Sequence, residues 1–381
     1  MEHIIVEDGV LSLPDGAFYE CRKLRKVELP SSLRLIGRSA FYRCKGLQEL
    51  NIPDSVTNIA SYAFFLSGIC DLTLPDSIQT IGGYAFGFCE DLKMIRFPSN
   101  PLLDVGPWVC YQCKSLESVL LPDGVRSIPD YAFLRCRHLT TVYMMDSMVS
   151  IGQQAFDHCR SLNEIILLPS RETGNRKTVQ RLPKGTIHMP TSLESIGQQA
   201  FLACHRLKKV VLPSSLKDLG PSAFGDCSGL TSVKIPPSLN YLGEGAFWGC
   251  SHLALVQIYP SRDLFIGSDA FGSCPSLFRI SCSDAKVLHS SHWHAFIKQL
   301  NRENANFLHV GLHSNGERKF LRALPTSLWP QILASSATGN LWNGRDKFGR
   351  SRCDSRTKNS VIFTLINNNA GEFDRLDGFR L

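Results

Sequence analysis

Eleven times this chain repeats the pattern Ile/Leu-Gly-x-x-Ala-Phe-x-x-Cys-x-x-Leu-x-x-Val/Leu-x-Ile/Leu-Pro, and no other feature of the sequence restricts its fold so strongly. The Ala of each unit falls at Ala17, Ala40, Ala63, Ala85, Val109, Ala132, Ala155, Ala200, Ala223, Ala246 and Ala270. Successive units are 22 to 24 residues apart, except for one interval of 45 between Ala155 and Ala200. A period of that length marks a solenoid in which each unit buries its apolar face only against its neighbours, so no single repeat folds alone.

The positions of the unit have separate physical jobs. In Leu24-Arg25-Lys26-Val27-Glu28-Leu29-Pro30, Val27 and Leu29 alternate with polar residues, the period of a strand with one buried face. Proline lacks the N–H that would continue the ladder, so it ends the strand. Gly37 is expected to permit a tight turn. Ala40 and Phe41 are expected to open a short helical or 3-10 turn, with the aromatic ring inside. Ten units keep the Phe, from Phe18 to Phe271, and only Cys110 departs. Rings at that frequency read as core.

The unit resembles the BspA-like branch of the leucine-rich repeat family, whose repeats run in the same order from Ile-Gly-x-x-Ala-Phe-x-x-Cys-x-x-Leu to a Val-x-Ile-Pro strand. The resemblance covers residues 1–282. It implies an α/β repeat: a leucine-rich repeat solenoid with one parallel strand and a short helical or 3-10 turn per repeat, which binds proteins on its sheet face, often at cell surfaces. It brings no catalytic residues. The segment Leu324-Pro325-Thr326-Ser327-Leu328-Trp329-Pro330-Gln331-Ile332-Leu333 is similar to a C-terminal element of some algal members.

Ten of the fourteen cysteines sit four residues after the Ala, and Ser67 replaces the eleventh. Free cysteine buries as a small hydrophobe with a weak donor, so the row reads as a reduced structural ladder. Cys110-x-x-Cys113 has redox spacing, yet both residues occupy repeat positions, which favours a structural role. The first residues lack the basic start and apolar core of a signal peptide, and the sequence holds no Asn-x-Ser/Thr sequon. The expected location is therefore cytoplasmic or nuclear, with a surface location open if the N-terminus is incomplete.

Residues 283–381 differ in texture and form the expected C-terminal capping or tail module, mostly helical. They carry 14 Lys and Arg against 8 Asp and Glu, which accounts for +6 of the net charge of +7. Trp293, Phe296, Ile297 and Leu300 fall at helical spacing, residues 324–333 read as a capped short helix, and Val361–Ile366 as helix or strand. A covered end with a polar outer face is what a solenoid needs. His289, His292 and His294 lie near Cys282 and Asp284, but no second ligand cluster follows at a recognised spacing, so solvated or capping histidines are expected and no metal or cofactor. The basic run from Arg345 to Lys358 suits phosphates or an anionic surface, and nucleic-acid or anionic-surface binding through this tail is the alternative function.

Strand alternation turns the residues nine and eleven after each Ala outward. The second row reads Glu28, Asn51, Thr73, Arg96, Leu120, Tyr143, Ile166, Val211, Lys234, Gln257 and Ser281, polar at both ends and apolar in the middle. Apolar and aromatic side chains rimmed by polar ones are the mark of a protein-binding patch, although outward apolar residues also stabilise strands. Beside the patch, an insertion at about 168–189 carries Arg171, Arg176, Lys177, Arg181 and Lys184 with the single acid Glu172. The expected function is a non-enzymatic scaffold that binds another protein through Arg96, Leu120, Tyr143, Ile166 and Val211, with Arg176 and Lys177 steering from the edge.

Overall fold

The computed structural model describes residues 2–122, 125–168, 183–259, 264–277 and 279–282, with the backbone of three further strands at 309–314, 317–321 and 364–365. The repeats form a right-through parallel β-solenoid of about eleven turns, with each coil hydrogen-bonded to the next. The Val-x-Ile-Pro segment supplies the first strand of a coil. In Lys26–Glu28 the outer two residues are exposed and Val27 is buried, as alternation requires. These strands stack in parallel: Val27 pairs with Ile4 and Leu50, and farther along Val142 pairs with Val119 and Ile165. Where Met145 and Leu168 stand in place of the terminating proline, the strands Thr141–Met145 and Glu164–Leu168 run to five residues, longer than the other described face strands of the eleven repeats.

Each coil holds a second strand that the sequence reading did not separate from the turn. Leu35–Ile36 pairs in parallel with Ser12–Leu13 before it and Asn58–Ile59 after it, and the same two-residue strand recurs along the array. The glycine that follows has a different reason from the tight turn expected of it. Gly37 keeps ordinary φ, but a Cβ there would stand 2.5 Å from the Leu13 carbonyl oxygen and 2.8 Å from the Pro14 carbonyl carbon. Glycine is required because the backbone of one coil presses on that of the coil before.

The Ala-Phe segment is not helical, and no helix occurs among the described residues. Its N–H groups alternate between two destinations. Those of Ala40, Tyr42 and Cys44 close turns onto carbonyls three residues back, at 3.1–3.2 Å. Those of Ser39, Phe41 and Arg43 instead donate to Ser61, Ala63 and Phe65 of the next coil, at 2.7–3.2 Å. A helix would need every N–H for its own chain. Two residues per turn adopt positive φ to make this alternation, one before the Ala and one three after it, as in Ser39 (54°) and Arg43 (57°). Glycine fills these sites only at Gly16, Gly245 and Gly249.

The interior is a column of stacked rings. Phe18, Phe41, Phe64 and Phe86 follow one another at 5.1–5.5 Å between centroids, and Phe133 through Phe271 do the same at 5.1–5.5 Å. Cys110 interrupts the column. Phe97, which directly follows the face strand Met94–Arg96 at a position where most other coils carry Leu or Ile, fills the gap and meets Phe133 edge-on at 6.3 Å and 88°.

Each break in a ladder falls at or next to an interval that departs from 23, although the interval of 24 between Ala246 and Ala270 keeps both ladders intact. The face strands part between Glu49–Leu50 and Asp71–Thr73, in the unit shortened to 22, and between Glu164–Leu168 and Thr186–His188, at the 45-residue interval. The second sheet parts between Asp104–Val105 and Ser127–Ile128, next to an interval of 24. Within the insertion expected at about 168–189, Thr186–His188 forms a strand that pairs with Lys209–Val211 and adds to the face. At the C-terminal end His309–Ser314 extends the face in parallel, and Glu317–Leu321 and Thr364–Leu365 continue antiparallel. The described residues of this region are strands and include no helix, so they do not support the mostly helical module expected there. The segments 289–301 and 324–333 lie outside the described residues.

Two outcomes test this packing. Cys110→Phe is expected to overpack and cost about 1–3 kcal/mol, Phe97→Leu to leave a cavity, and the double variant to recover most of both losses in a thermal unfolding midpoint. Ser39→Gly, which matches Gly16 of the preceding coil, is expected to stabilise by about 0.5–1 kcal/mol in denaturant unfolding, because it removes a Cβ from a left-handed position.

Candidate functional site

The face strands bring the expected patch residues together by register. Arg96 pairs with Leu120, Leu120 with Tyr143 and Tyr143 with Ile166, so the four side chains stand side by side on successive strands. All four are half-buried, packed flank to flank, while the alternating Ile95, Val119, Val142 and Ile165 fill the core behind them. Arg96 closes one end, its guanidinium 3.7 Å from Asp76. A polar row runs alongside, where the Thr141 hydroxyl donates to Glu164 Oε2 at 3.3 Å.

Val211 is not the next residue of this row. His188 of the added strand intervenes and pairs with Val211, and the ladder is broken between Ile166 and His188. His188 is exposed, and the hydration it loses beside the sheet, with the nearby Lys209 ammonium second, pushes its pKa down. The signal was present in the sequence, because Ile187-His188-Met189-Pro190 repeats the Val-x-Ile-Pro strand. Arg176 and Lys177, the basic run Arg345–Lys358 and the histidines 289–294 lie outside the described residues. Among the described residues no group of three His, Cys, Asp or Glu could hold a metal ion.

A second surface went unread. Tyr62, Tyr84, Trp108 and Tyr131 precede the Ala in four consecutive units and stack face to face along the turn corner, at 5.0, 5.3 and 3.8 Å with planes within 6°. Phe65, Phe88 and Tyr111 meet this stack or one another edge-on. All seven rings are half-buried. The signal was the aromatic residue before Ala, repeated at the period; it was missed because that position was assigned to a helical turn, where it has no separate identity.

The cysteine row is built for hydrogen bonding between successive coils. Each thiol after the first donates to the carbonyl of the ring position one coil earlier: Cys44 to Phe18 at 3.0 Å, Cys159 to Phe133 at 3.2 Å and Cys250 to Phe224 at 3.1 Å. Cys136 donates to Cys110, which stands where the Phe would be, at 3.1 Å. That carbonyl also accepts the N–H that closes its own turn, so the thiol takes up its second lone pair. Ser67 lies 3.3 Å from Cys89 Sγ. Burial pushes the Cys44 and Cys227 thiols up to about 12 and raises Cys159 and Cys204 as well. Cys110 and Cys113, the pair with redox spacing, are both buried members of this interior. Cys21, at the open first coil, is exposed.

Thiol labelling of the native chain is expected to reach Cys21 and to spare Cys44, Cys136 and Cys227 until denaturant is added, as peptide mass spectrometry would read. Cys136→Ser, which keeps a donor, is expected to cost less stability than Cys136→Ala, which gives up a hydrogen bond worth about 1 kcal/mol.

Comparison with known proteins gives one consistent picture. The family model described as "BspA type Leucine rich repeat region" matches in six copies, over residues 1–103, 104–180 and 175–298. A leucine-rich repeat protein from Bacteroides ovatus is 22% identical, with 82% of this chain and 84% of that one covered and a TM-score of 0.45. A leucine-rich repeat protein of T. pallidum is 30% identical over 42% of this chain and 77% of its own, with a TM-score of 0.37. A leucine-rich cell surface protein from Faecalibacterium prausnitzii is 24% identical, covering 74% and 81%, with a TM-score of 0.38. No curated protein matches the chain.

Proposed function

The chain belongs to the BspA-type leucine-rich repeat family, and from that membership we propose that it is a non-enzymatic scaffold that grips a partner protein on the middle of its strand face. The observation that carries this reading is the row Arg96, Leu120, Tyr143 and Ile166, aligned by strand register on four neighbouring strands of the face, the last two of which run to five residues. Apolar and aromatic groups fixed on a rigid sheet lose little entropy when a partner covers them, which is what binding anchors need. His188 and Val211 extend the row beyond the break. Arg176 and Lys177, which follow the strand Glu164–Leu168 in sequence, steer an acidic partner toward the face.

Residence in the cytosol or nucleus belongs to the same reading. It is supported by the thiol column, whose members spend their protons on backbone carbonyls. No helix among the described residues is long and apolar enough to cross a membrane.

Tyr143→Asp combined with Ile166→Asp is expected to abolish partner recovery in a pull-down while the thermal unfolding midpoint stays within a few degrees, because neither side chain fills the core. Neutralising Arg176 and Lys177 is expected to slow association at low salt only. Deleting Arg345–Lys358 is expected to leave binding intact; loss of the partner on that deletion alone would move the function to the tail.

A further inference from the structure

The strand face is open at one place besides the long insertion. Glu49–Leu50 is the last strand of the first sheet and Asp71–Thr73 the first of the next, so two strand edges confront each other without pairing. The origin is a single missing residue. Ser67-Gly68-Ile69 covers the path that Cys44-Lys45-Gly46-Leu47 covers one coil earlier, with Ile69 taking the buried place of Leu47. Gly68 makes the short path possible, since a Cβ there would stand 2.1 Å from the Lys45 carbonyl oxygen. Counted from the Ala, the following strand therefore starts one residue earlier than the strand before it. Its far side is bound normally, with the Lys93 N–H donating to the Cys70 carbonyl at 2.7 Å.

A hollow of about 590 Å³ opens at this point, with Lys26, Glu28, Glu49, Leu50, Cys70 and Asp71 on its walls. That volume lies in the range of sites that take a ligand. Its charge is one-sided: three carboxylates against one ammonium leave −2, and the ammonium is already engaged, Lys26 Nζ lying 2.9 Å from Glu28. Glu49 and Asp71 thus set the sign of the opening. An unpaired strand edge is a template for a further strand, and extended peptides use such edges for affinity and alternate side chains for specificity.

We propose that this hollow accepts an extended, basic segment of a partner protein, which pairs its backbone with the open edge at Glu49–Leu50 and sets alternate cationic side chains beside Glu49 and Asp71. The site is separate from the middle of the face and does not depend on it.

The probe is a fluorescein-labelled peptide of sequence Thr-Lys-Val-Lys-Val-Lys-Thr, followed by anisotropy against the full chain. Saturable binding is expected, weakened at least tenfold when alternate backbone nitrogens of the peptide are methylated and at least tenfold by Glu49→Lys with Asp71→Lys. Inserting one Lys between Ser67 and Gly68, which restores the spacing of the preceding unit, is expected to close the ladder and remove binding, with the unfolding midpoint confirming that the chain still folds. Should that insertion misfold, the methylated peptide and the charge-reversed chain decide the matter alone. Tyr143→Asp with Ile166→Asp is expected to leave peptide binding unchanged. Absence of binding at millimolar peptide, or equal binding of the methylated peptide, would overturn the proposal.

Discussion

Everything in this molecule depends on where the turn sends its N–H groups. Around each Ala-Phe step, alternate donors close the local turn and the rest cross to the next coil. The crossing bonds fix the spacing between coils at a third station besides the two strands, so the interior is held at constant pitch. From this follow the small residue at Ala, with no room for more, and the ring of Phe, which meets its counterpart at stacking distance in coil after coil. The thiol follows as well, since the carbonyl at the ring position retains an unused lone pair that a short side chain four residues after the Ala can reach.

A regular pitch makes local departures visible. One residue removed before Asp71 opens the face, while the long interval after Ala155 breaks the face ladder, adds a strand beyond the break and leaves the second ladder continuous, with Ser150–Ile151 paired to Ser195–Ile196. The missing ring at Cys110 is answered from across the coil by Phe97. The three sites show the same logic: a solenoid absorbs a local departure within one or two units, because each unit touches only its neighbours.

The coil, its buried rows and the outward row of the face were legible in the sequence because each follows from a periodicity that one chain displays by itself. Val27, Phe41 and Cys44 are interior, and Arg96, Leu120, Tyr143 and Ile166 align outward. The second strand was not legible, since two residues such as Leu35 and Ile36 are too few to reveal alternation. Gly37 was given the commoner reason for glycine, a turn, when its cause is contact with Leu13 and Pro14 some 23 residues away. The helical turn failed for a related reason. Local pattern cannot report that half of a turn's donors are claimed by another coil, and the left-handed residues that make this possible are mostly Tyr, Gln, Ser, Arg and Asp rather than the glycine that would have signalled them. His188 was overlooked because its strand lies inside an interval that broke the count.

The paired left-handed residues of each turn have a further consequence. Their backbone is set by bonds between coils, and their side chains project from the corner of the solenoid, so the choice of residue there is nearly independent of the fold. Tyr62, Tyr84, Trp108 and Tyr131 use it for a stacked aromatic rail, whereas Gln154 and Gln199 carry an amide in the same place and Gly245 leaves it empty. The corner is in effect a rack with evenly spaced pegs, on which chemistry can be exchanged one peg at a time without re-engineering the frame that holds it.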